Sequence, residues 1–149
     1  MGIYLNPGSD MFQQSLNSMI FVDKSDIIAE LNKIINTNEK YICISRPRRF
    51  GKSMTMNMVS AYYDRTVESS LFSETKISKT DNYTKHRGAY DVLFINMQNF
   101  LSKTKTMEDL LRLLESRVGR ELVYAYPDID FFDKNSLAYL CLLYTSDAA

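Results

Sequence analysis

The chain has 149 residues, 45% of them hydrophobic and 12% aromatic, which is enough length and apolar content for one domain with a sizeable core and too much for a disordered segment. Eighteen Lys and Arg balance eighteen Asp and Glu, so the chain lacks the positive excess on which a general nucleic-acid or membrane-surface binder draws. Cys43 and Cys141 offer neither metal-ligand spacing nor a disulfide framework. No apolar stretch approaches the roughly 20 residues of a membrane span, and Met1–Asn6 has no basic or apolar leader, so the expectation is a reduced cytoplasmic protein.

In chain order, Asn6-Pro7-Gly8-Ser9 reads as a turn. Ser25 is placed to cap a helix whose apolar face is Ile27, Ile28, Leu31, Ile34 and Ile35, and Asn36-Thr37-Asn38 stops it. Tyr41, Ile42, Cys43 and Ile44 then form an unbroken apolar run, the pattern of a parallel strand buried on both faces. A basic loop follows and closes on Gly51-Lys52-Ser53. Beyond it Met54, Met58, Ala61 and Tyr62 share one helical face.

Strand, loop and helix in that order are what a phosphate-binding P-loop requires. A glycine lets backbone N–H groups close on phosphate oxygens, a lysine reaches the β- and γ-phosphates, and a hydroxyl serves Mg²⁺. The helix adds its N-terminal dipole. The Gly-Lys-Ser triplet is a weak signal by itself, and its context carries the weight. One position departs from the full GxxxxGK[ST] pattern, because its first glycine is Arg46 here. The loop must therefore enter by another path. Pro47 stiffens it, while Arg46, Arg48, Arg49 and Lys52 concentrate charge suited to several phosphate oxygens.

Ser69 to Gly88 is polar and turn-rich, and its lone histidine, His86, lies between Lys85 and Arg87, which suits a surface position better than a catalytic one. Val92 to Met97 reads as a second buried parallel strand. Met107, Leu110, Leu111, Leu114, Val118 and Leu122 mark one face of a helix supported by a Glu108–Arg112 pair. Alternating strands and helices imply an α/β fold. Asp128 and Asp130 follow no apolar strand and read as a turn rather than a metal site.

The string Arg46-Pro47-Arg48-Arg49-Phe50-Gly51-Lys52-Ser53 resembles the P-loop of a bacterial and archaeal AAA-ATPase-like family, written RPRRFGKS and often fused to a PD-(D/E)XK nuclease-like domain. Phe21-Val22-Asp23-Lys24-Ser25 is similar to the family's YVDKT element, and Tyr90 to Met97 to its next strand. The resemblance implies a P-loop NTPase-type parallel sheet with flanking helices over residues 1–141. It implies ATP and Mg²⁺ as ligands, phosphate contacts from Arg46, Pro47, Arg48, Arg49, Phe50, Gly51, Lys52, Ser53 and Met54, and the metal on Ser53. Phe21, Val22 and Asp23 are the residues it sets near adenine.

In that family the strand matching Leu93-Phe94-Ile95-Asn96 precedes the acidic Walker B strand. Asn96 cannot supply the acid's charge, so the sheet is expected to be incomplete, with Walker B beyond residue 149. ATP hydrolysis then belongs to the intact protein, nucleic acid is a partner only through a nuclease-like domain, and this chain is expected to be inactive. Residues 142–149 resemble translated sequencing adapter, a non-native tail. Two other readings stand beside this one: a non-hydrolysing module whose RPRR loop grips an anion or a nucleic-acid backbone, and a piece too incomplete to function.

Overall fold

The computed structural model describes residues 2–45, 47, 49–128 and 136–138, which form two compact units. Arg46, Arg48, Asp130, Cys141 and the segment 142–149 lie outside the described residues.

The first unit, Asn6–Val92, is built on helices α1 (Asp10–Leu16), α2 (Asp26–Ile34) and α3 (Lys52–Tyr63), two 3₁₀ turns at Ser69–Phe72 and Lys76–Lys79, and the short α4 (Tyr83–His86). Apolar spacing along α2 and α3 turns Ile28, Met58, Ala61, Tyr62 and Tyr63 inward, where they meet Phe12, Phe72 and Ile77 in one core. Aromatic rings fill its centre. Phe12 stacks on Phe72 at 5.0 Å, and Tyr62 meets Phe72 edge-on at 5.4 Å.

A polar network runs through the same core. The Asn32 amide donates to the Tyr62 hydroxyl at 3.0 Å, Tyr63 donates to Asn32 Oδ1 at 2.8 Å, and Tyr62 donates onward to the Tyr83 carbonyl at 2.6 Å. Every one of these phenols therefore keeps a partner, as burial demands. Burial raises the Tyr62 hydroxyl above its ordinary phenol value, with the Asn32 bond opposing the shift, and pushes the Tyr63 hydroxyl well above it. At the end of α3 the fully buried Asp64 accepts from the Gly8 amide at 2.9 Å and from the amide and hydroxyl of Thr66.

The second unit combines Gly2–Leu5 with the chain from Leu93 onward, including α5 (Gln98–Leu101) and α6 (Met107–Ala125). Thr106 caps α6 by accepting from the Asp109 amide at 3.1 Å. Leu110, Val118 and Leu122 turn inward against Leu5 and Phe100, as the helical spacing predicts, whereas Met107 and Leu111 are exposed. Glu121 holds the N-terminal segment by accepting from the Tyr4 and Leu5 amides at 3.0 and 2.9 Å. A Cβ on Gly2 would collide with that carboxylate and with the Leu5 backbone carbonyl, so the approach requires glycine.

Three expectations need correction. The parallel α/β sheet is not present: among the described residues there are only two isolated bridges, Leu5 with Leu93 (antiparallel) and Asp64 with Tyr90 (parallel). The run Tyr41–Ile44 makes no bridge, and Tyr41, Ile42 and Ile44 are 87%, 47% and 37% exposed. A buried strand needs ladder partners on both sides, and an apolar run alone does not supply them. Cys43, expected inside that strand, is exposed as well.

His86 is the second correction, since it is only 4% exposed. Its Nδ1 lies 2.6 Å from the Tyr90 hydroxyl, and its ring stacks on Tyr90. Desolvation first, and then the Lys85 charge, hold its pKa below the usual histidine value. The third concerns two local supports. Ser25 precedes α2 without a side-chain cap and instead accepts from the Ile77 amide at 3.0 Å, and no Glu108–Arg112 ion pair forms.

Candidate functional site

Gly51 adopts the left-handed conformation (φ 74°, ψ 27°) and stands immediately before α3, where its carbonyl accepts from the Thr55 amide at 2.9 Å. Arg49 is left-handed as well, with φ 69°. Two positive-φ residues separated by Phe50 lead the chain into the N-terminal end of α3. Such alternation gathers backbone N–H groups into a concavity suited to anions.

Beside the loop is a cavity of about 430 Å³ lined by Asp23, Lys24, Asp26, Ile27, Ile44, Phe50, Lys52, Thr55 and Met56. It therefore joins the Phe50–Met56 stretch to the segment before α2. Lys24 makes the direct link: its Nζ donates to the Phe50 carbonyl at 2.9 Å. Asp23 shapes the same wall from behind. Its Oδ1 accepts from the Ser25 amide at 2.8 Å and its Oδ2 from the Lys76 amide at 2.7 Å. Partial burial raises the Asp23 pKa, but the Ser25 and Lys76 hydrogen bonds outweigh it and leave the carboxyl below its usual range. Asp26 pairs with the Lys76 ammonium at 3.1 Å.

Of the expected phosphate residues, Phe50 and Lys52 line this cavity, Gly51 lies between them, and Ser53 and Met54 follow in the first turn of α3, Ser53 exposed and Met54 half-buried. Pro47 and Arg49 are exposed. The expected adenine residues diverge. Phe21 packs edge-on to Phe12 at 6.1 Å, Val22 is exposed, and Asp23 lines the cavity. Lys24 and Asp26 were not anticipated from sequence. The only signal for Lys24 is a cation placed one residue from an acid in an otherwise apolar lead-in to α2, a pattern that does not announce a partner 26 positions away.

Asp91 accepts from the Asn6 side-chain amide and pairs with Arg65 at 3.0 Å. Asn96 uses its Oδ1 to accept from the Gln98 amide at the start of α5. No cluster of three metal-ligating side chains occurs among the described residues. Ser53, the expected metal residue, is an exposed hydroxyl in the first turn of α3 and is not among the residues that line the cavity.

Comparison of the sequence with family models supports nucleotide binding in general. The model described as predicted AAA-ATPase matches residues 9–141, and the chain belongs to that AAA-ATPase-like family. Neither the curated proteins nor the solved structures contain a match. Among the described residues no helix is long and apolar enough to cross a membrane.

Proposed function

We propose that the chain binds ATP with Mg²⁺ through the loop Arg46–Met54, with the phosphates on the Phe50–Ser53 backbone and Lys52, the metal on Ser53, and hydrolysis belonging to the intact protein. The observation that carries this reading is the cavity in which Lys52 and Phe50 of the loop face Lys24 and Asp23, in a member of the predicted AAA-ATPase family. Its wall of Ile27, Ile44, Phe50 and Met56 offers an apolar surface beside the charges. Phosphoryl transfer needs the metal held from two sides and a positioned water. Among the described acids, Asp23 is committed to two backbone amides, Asp26 to Lys76 and Asp91 to Arg65.

Titration calorimetry with Mg²⁺–ATP on the wild-type chain and on Lys52→Ala tests the reading. Lys52 lines the cavity at the start of α3, so its removal abolishes ATP binding, and urea unfolding of the variant in parallel confirms that it remains folded. Unchanged ATP affinity in the variant overturns the assignment.

A further inference from the structure

Lys24 lies outside the phosphate motif, yet it is bound to it. Its ammonium donates to the Phe50 carbonyl at 2.9 Å, it lines the cavity with Lys52, and a Cβ built on Gly51 would lie 3.2 Å from its Nζ. Both acids on the same cavity are engaged elsewhere, Asp26 with the Lys76 ammonium and Asp23 with the amides of Ser25 and Lys76. The Lys24 charge therefore has no carboxylate partner among the described residues. An ammonium carries three N–H donors. One is held by Phe50, which leaves two for a ligand.

We propose that Lys24 is a second cation of the phosphate site, fastening the loop through the Phe50 carbonyl and giving its remaining donors to phosphate oxygens. This rests on the reading of the loop as a nucleotide site, and it assigns Lys24 two linked roles. Without ligand it holds Phe50 and Gly51 so that the amides at the start of α3 stay gathered. With ligand it adds a charge-assisted bond that a nucleoside cannot use, so it contributes to discrimination between triphosphate and nucleoside.

Two measurements on the full chain test it, using Lys24→Met, Lys24→Arg and Lys52→Ala. Hydrogen exchange without nucleotide reads the fastening role: the amides of Phe50–Thr55 exchange several-fold faster in Lys24→Met and return to wild-type rates in Lys24→Arg. Calorimetry with Mg²⁺–ATP and with adenosine reads the phosphate role. Lys24→Met weakens ATP by about tenfold or more, the size expected for a hydrogen bond to a charged group, leaves adenosine unchanged, and is rescued by Lys24→Arg. Wild-type exchange in Lys24→Met overturns the fastening role. Wild-type ATP affinity in Lys24→Met together with loss in Lys52→Ala overturns the phosphate role while the nucleotide reading stands. A wild-type chain that binds no ATP overturns both, and the exchange result still decides whether Lys24 fastens the loop.

Discussion

Asp23 Oδ2 accepts the backbone N–H of Lys76 at 2.7 Å, joining residues 53 positions apart and tying the cavity wall to the second 3₁₀ turn. Its other oxygen holds the Ser25 amide. One carboxylate thus fixes both the entry to α2 and the approach of the Lys76–Lys79 turn. Its position beside the cavity is a consequence of that structural work.

Asp23→Asn keeps one acceptor and loses the charge that strengthens both bonds, so unfolding by urea should show a loss of about 1–2 kcal/mol at pH 7. The folded carboxyl titrates below its ordinary 3.8. Its contribution is therefore complete above about that pH and is lost as pH falls through the folded value. Wild-type and variant stabilities should converge in acid. A constant difference down to pH 2 would contradict the assignment.

Asn32 joins α2 to α3 by donating to Tyr62 and accepting from Tyr63. Asn32→Leu fills the space with a side chain of similar size but strips the buried Tyr63 hydroxyl of its acceptor. The expected cost is about 2–3 kcal/mol from an unsatisfied buried donor and lost bonds. Adding Tyr63→Phe should recover part of it, because no orphan hydroxyl then remains. If the double variant is as unstable as the sum of the two singles, the coupling through Asn32 is absent.

Helices were legible in the sequence where burial imposes a period. Ile28 on α2, Met58, Ala61 and Tyr62 on α3, and Leu110, Val118 and Leu122 on α6 all lie inside as their spacing indicates. The strands were not, because a four-residue apolar run such as Tyr41–Ile44 states only that its side chains dislike water. Whether it pairs depends on partners elsewhere in the chain. His86 escaped for a related reason: flanking cations suggested a surface, but tertiary packing against Tyr90 decided its burial. The loop motif was visible as residues, while its left-handed turn at Arg49 and the reach of Lys24 to Phe50 exist only in the folded chain.

His86 gives a second pH dependence, of known sign. Its folded pKa is depressed below the ordinary 6.5, so between those two values the unfolded chain binds more protons than the folded one. Stability should be complete above about pH 6.5, fall as pH drops below it, and level off beneath the folded value. In His86→Gln the change in urea midpoint between pH 7.5 and pH 5 should shrink. An identical pH slope in that variant would assign the effect to other groups.

The left-handed conformation of Arg49 separates backbone from charge in the loop. A non-glycine residue there costs roughly 1–2 kcal/mol, whereas glycine carries no such strain and costs roughly 0.5–1 kcal/mol in unfolded-state entropy. Arg49→Gly should thus be near neutral in thermal unfolding, and Arg49→Ala, which keeps the strain, should be no more stable than Arg49→Gly. Both remove the same guanidinium, so both should weaken Mg²⁺–ATP several-fold and leave adenosine unaffected. At Gly51, where φ is 74° and an added Cβ would lie 3.2 Å from Lys24 Nζ, alanine should lower stability by about 1–2 kcal/mol and weaken ATP together. Equal stabilities for Arg49→Gly and Gly51→Ala would show that the left-handed conformation at Gly51 does not demand glycine.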